Sequence, residues 1–178
     1  MVILAAFLAV GCQQNERSVK ELNAYFDLDS LLDEQAAVLY DRGAQVQKKV
    51  VMDGETEQRT FVPDTAEWKS ELAIIRDFNI NKPYFVGSFK LIREGDVLKH
   101  EATSENVDIT RFELFYEGDA LVRIESFLDE EKYIYSNKRK LTLTFESGLL
   151  SSYQIVGYQK MILQEEVDYE ISGSISVK

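Results

Sequence analysis

The chain has 178 residues, 45% of them apolar and 29% charged, with 31 acidic against 20 basic side chains and a formal charge of −11. One domain with a closed core is expected at this length, and the acidic balance excludes the basic footprint of a dedicated nucleic-acid binder. One cysteine rules out an intrachain disulfide, and one histidine rules out most histidine-based metal and triad chemistry.

Residues 1–11, MVILAAFLAVG, carry no charge and run into the single cysteine, Cys12. An apolar run of about ten residues is too short for a transmembrane helix, which takes about 20. It has the length of a signal-peptide core. Gln13-Gln14-Asn15-Glu16-Arg17 follows at once and reads as a solvated tether. Leu8-Ala9-Val10-Gly11-Cys12 resembles the lipobox of bacterial lipoproteins, with Ala9 where that family favours Leu. The resemblance implies that Cys12 is acylated and becomes the mature N-terminus. Residues 1–11 are then a lipoprotein signal peptide, 12–20 a tether and 21–178 a single domain.

Leu22, Tyr25, Phe26, Leu32, Ala36, Leu39 and Tyr40 recur at helical spacing, with Asp29 or Ser30 able to cap a second segment and Gly43 to end it. Val46–Met52 and Thr56–Val62 predict a hairpin around Asp53-Gly54, a dipeptide suited to a type I′ turn. Asp64-Thr65-Ala66-Glu67 predicts a capping box opening a second helix, with Trp68, Leu72, Ile75 and Phe78 on one face and Glu67, Lys69, Glu71 and Arg76 elsewhere.

From Tyr84 onward the apolar period changes from helical to alternating. Glu94-Gly95-Asp96 and Glu117-Gly118-Asp119 mark two hairpin turns, and Ser147-Gly148 bounds the alternating run Leu141–Glu146. Gly157 suggests a bulge, after which Met161 and Leu163 resume the run, and a last strand spans Val167 to Val177. The expected class is α+β: a curved antiparallel meander of about six to eight strands packed against two N-terminal helices.

The lipobox, YFDLDSLLDEQ, the Asp-Gly hairpin and DTAEWKSELAIIRDFNINKP together resemble a group of uncharacterised Bacteroidetes-type lipoproteins over roughly residues 10–85. That resemblance implies an envelope address and no particular chemistry. The expected sheet is similar, in architecture alone, to the periplasmic lipoprotein carriers, whose half-barrel encloses acyl chains.

Chemistry is sparse. His100 beside Glu101 reads as an outward strand residue among charged neighbours. Asp27, Asp29 and Asp33 open like a calcium loop, but Leu31 and Leu32 stand where ligands and a glycine belong. Asp129-Glu130-Glu131 and Glu165-Glu166-Asp168 read as turns. No nucleophile elbow or phosphate loop occurs. No catalytic residue, metal or cofactor is assigned. The aromatics make up 11% of the chain, and Phe115, Tyr133, Tyr135, Tyr153 and Tyr158 are the candidates to line a groove for a lipid or other apolar ligand. The expectation is a non-enzymatic, membrane-anchored envelope lipoprotein that binds such a ligand through a concave sheet, or, alternatively, a structural lipoprotein that docks an envelope protein complex. Gln13 directly after the cysteine, with one acid (Glu16) before Arg17, implies the outer membrane with the domain facing the periplasm.

Overall fold

The protein is described from a computed structural model, which covers residues 25–177. Cys12, the tether and the start of the first predicted helix lie outside those residues. Asp27 opens helix α1 (Leu28–Asp41): its carboxylate accepts from the Ser30 backbone at 3.2 Å and from the Ser30 hydroxyl at 2.7 Å. Asp29 is not the cap, because its carboxylate accepts from the Asn79 amide at 2.8 Å. Leu28, Leu32, Gln35 and Leu39 form the buried stripe, while Tyr40 is exposed. Gly43, at φ +61°, supplies the left-handed residue that ends the helix.

Strands β1 (Gln45–Met52) and β2 (Glu55–Phe61) form the expected hairpin. Asp53 and Gly54, at φ +50° and +80°, give the two positive φ values that a type I′ turn requires. Helix α2 (Thr65–Glu71) starts on a complete capping box between Asp64 and Glu67. It stops earlier than its apolar pattern predicts, and Ala73–Phe78 continue as a tighter 3₁₀ helix. The three-residue spacing of Leu72, Ile75 and Phe78 matches the 3₁₀ period, so all three stay on one side and are buried with Trp68. Glu71, read as lying off the apolar face, is buried as well.

After a short 3₁₀ turn at Pro83–Phe85 the chain makes seven strands: β3 (Phe89–Glu94), β4 (Val97–Ala102), β5 (Ile109–Glu117), β6 (Ala120–Glu131), β7 (Tyr135–Glu146), β8 (Leu149–Met161) and β9 (Val167–Ser176). The described residues therefore hold nine strands, more than the six to eight expected, in one open antiparallel sheet ordered β2-β1-β9-β8-β7-β6-β5-β4-β3. The added pairing is non-local: Gln45 of β1 lies opposite Ser176 of β9.

The α+β class holds, with the helices on one face of the sheet. That face carries Val46, Ile124, Leu141, Leu143, Ile155 and Phe112, which join Leu32, Leu39, Trp68 and Phe78 in one core. His100 belongs to this side, not to the outward face. It shares parity with the half-buried Leu98 and Ala102, and its ring meets Tyr25 and Phe112 edge-on at 5.9 and 6.1 Å. Gly157 is not a bulge: β8 keeps its register there, opposite Arg139, and a Cβ would lie 2.3 Å from the Lys138 carbonyl and 3.0 Å from Arg139 Cγ. Arg139 instead crosses over it to bond Asp77 at 2.9 Å and to lie over Phe78, pinning the 3₁₀ helix to the sheet.

The antiparallel order gives the sheet two unlike ends. Gly95, Gly118 and Gly148 turn the chain at one end. At the other, the far end, the Asp53-Gly54 turn and segments 103–108, 132–134 and 162–166 connect the strands.

Candidate functional site

Among the described residues, side chains fill the space between helices and sheet. Trp68, Phe78, Phe112 and Tyr153, all fully buried, occupy its centre. Tyr153 donates its hydroxyl to Glu71 Oε1, and Lys48 Nζ donates to Glu71 Oε2 at 3.0 Å. Both carboxylate oxygens are thus engaged, so this buried carboxylate ties α2 to β1 and β8. Burial, and then the bond to Glu71, push the Tyr153 phenol well above its ordinary range.

The helix-free face is built differently. Phe115 lies beneath Arg123 at 4.0 Å, and Phe127 is flanked by Arg111 at 4.2 Å and Lys140 at 5.3 Å. These are directly paired neighbours across adjacent strands. Carboxylates interleave with the cations: Glu125 meets Lys140 at 2.9 Å and Arg123 at 3.3 Å, and Asp129 meets Lys138 at 2.9 Å. An open depression of about 440 Å³ over β1, β8 and β9 is bordered by Gln47, Lys49, Ser152, Gln154 and Ser172. A second, of about 360 Å³, lies beside Phe127, Lys138, Val156 and Tyr158.

The five candidate groove residues do not converge. Phe115 and Tyr158 lie on the helix-free face, separated by β6 and β7, and Tyr153 lies on the opposite, buried face. Tyr135 is half-buried near the far end, where its hydroxyl donates to Glu130. That bond first, and its charge after, hold the Tyr135 phenol above its ordinary range. Tyr133 is 94% exposed in the β6–β7 turn.

Of the acids read as metal-like or turn-like from the sequence, Glu165 and Glu166 do lie in the β8–β9 connection, and the others find other places. Asp27 caps α1, Asp29 and Asp33 both meet Arg76, and Asp129 to Glu131 are the end of β6 rather than a turn. Among the described residues no group of three or more His, Cys, Asp or Glu side chains is placed to hold a metal ion.

What the sequence leaves unmarked is the far end. Leu163 does not resume a strand: β8 stops at Met161, and Leu163 sits in the following turn, wholly exposed. Ile134 and Ile162 are exposed beside it, and Tyr133, Ile134, Met161, Ile162 and Leu163 border one hollow of about 260 Å³. The available signal was an apolar triplet, Met161-Ile162-Leu163, set directly before the acidic Gln164-Glu165-Glu166.

Comparison with protein-family models, with curated proteins and with solved structures finds no match to this chain. Among the described residues no helix is long and apolar enough to cross a membrane.

Proposed function

We propose that the chain is an envelope lipoprotein, anchored through acylated Cys12 to the outer membrane and facing the periplasm, that works by docking an envelope protein rather than by catalysis or by carrying a lipid. The observation that carries the choice is the filled interior. A carrier needs a concave space for acyl chains between its sheet and its helices, and here Trp68, Phe78, Phe112 and Tyr153 occupy that space. The surface left for docking a protein is the helix-free face with its cation–aromatic pairs.

The anchor rests on the lipobox-like stretch ending at Cys12 and the polar residues after it. Native purification of the acylated protein followed by mass spectrometry tests the choice. A docking lipoprotein brings no acyl lipid beyond its own anchor, and a lipid bound one to one with the chain overturns it in favour of a carrier.

A further inference from the structure

We propose that the far end of the sheet is a membrane-contact tip, in which Tyr133, Ile134, Met161, Ile162 and Leu163 seat in the interfacial layer of the same bilayer that holds Cys12, and this rests on the anchored reading of the chain. Tyr133 is 94% and Leu163 100% exposed, and Ile134, Met161 and Ile162 each leave about half of their surface outward, so the turns present a continuous apolar surface to the outside. The two turns act as one unit. Ile162 N donates to the Ile134 carbonyl at 2.8 Å, Lys132 N closes the first turn on Tyr135 at 2.8 Å, and Gln164 N closes the second on Met161 at 3.1 Å. Leu163 holds φ +63°, a conformation that side-chain-bearing residues rarely adopt, and it does so without any internal burial to favour it. A tyrosine and aliphatic side chains flanked by Lys132 and Lys160 match the interface of a bilayer, where aromatic rings sit at headgroup depth and lysines extend to water.

The occupant follows from where the chain enters. Tyr25 lies at the far end, its hydroxyl accepting from Phe89 N at 3.2 Å and its ring edge-on to Phe89 at 5.3 Å. Twelve residues separate Cys12 from Tyr25, a reach on the order of 40 Å at most. The apolar turns border β7 and β8, three and four strands along from β4, about 15–20 Å away. An anchor at Cys12 therefore delivers this end to the membrane surface. The opposite end offers no such surface, since its turns, Glu94-Gly95-Asp96, Glu117-Gly118-Asp119 and Glu146-Ser147-Gly148, carry no apolar side chain. Glu131, Glu165 and Glu166 offset the two lysines near the tip, so the contact is apolar and indifferent to headgroup charge.

The test uses the full acylated chain with an environment-sensitive fluorophore on Leu163→Cys, or on Ile162→Cys as a second position, and on Asp119→Cys at the other end. Each is reconstituted in phosphatidylcholine vesicles with and without brominated acyl chains. Quenching about threefold stronger at residues 162 and 163 than at 119 is expected for insertion to interfacial depth, unchanged by added phosphatidylglycerol. Equal, weak quenching at both ends overturns the tip. So does protection of residue 163 that depends on protein concentration and not on lipid, which would make the occupant a second copy. Fatty-acid labelling run in parallel separates the two readings: quenching at 163 with no label on Cys12 overturns the anchor alone, and label without quenching overturns the tip alone.

Discussion

Gly173 and the ring of Tyr153 occupy one site, since a Cβ built on Gly173 would lie 2.2 Å from Tyr153 Cε1. The two residues face each other across β8 and β9, and the tyrosine covers the strand where the glycine has no side chain. Gly173→Ala is therefore expected to displace the ring, at a cost of about 1–3 kcal/mol for overpacking. Tyr153→Phe keeps the ring and removes the donor to Glu71, at about 1–3 kcal/mol for the carboxylate oxygen left unpaired. Urea unfolding of both variants checks this, and wild-type midpoints would refute it.

Trp68 is the largest side chain fully buried between α2 and the sheet. Trp68→Ala should cost about 3–5 kcal/mol, a large share of the roughly 5–15 kcal/mol that holds a domain folded. A melting temperature within a degree or two of wild type would contradict this packing.

Burial holds His100 below its ordinary value of 6.5, partly opposed by its bond to the Phe112 backbone. The unfolded chain therefore takes up this proton first as pH falls. The stabilising contribution is complete above pH 6.5 and is lost progressively below it, towards the folded-state value. His100 is the single histidine, and unperturbed carboxylates titrate near pH 4. A fall in Tm between pH 7.5 and 5.5 should thus belong to this residue. His100→Phe, placed between Tyr25 and Phe112, should flatten that fall. An unchanged pH slope would refute the assignment.

Fatty-acid labelling of cells should mark the chain and be abolished by Cys12→Ala. Protease added to intact cells should spare the domain until the outer membrane is breached. Shaving of intact cells would place it on the outside.

The elements legible in the sequence were those whose causes are local. Asp53-Gly54 dictates its turn by backbone conformation, and Asp64 with Glu67 dictates a helix start by hydrogen bonds three residues apart. His100 and Glu71 were misread because their partners arrive from elsewhere in the chain: Tyr25 closes over the histidine, and Tyr153 and Lys48 neutralise the polarity of the carboxylate. The candidate site failed for the same reason. Alternation along a strand says which residues share a face, but only the strand order put Tyr133 next to Leu163 and kept Phe115 from Tyr158.

The pairing of β1 with β9 has a consequence for how the molecule is made. The first described strand cannot find its neighbour until residues 167–176 have emerged, so the sheet is finished by its last segment. Contacts this distant in sequence slow folding. On the envelope reading proposed above, the delay lets the chain cross a membrane unfolded and acquire its sheet on arrival. Truncation before residue 167 would leave β1 and β8 each with a bare hydrogen-bonding edge, and such edges recruit other chains. A product clipped there should aggregate rather than persist as a smaller folded form.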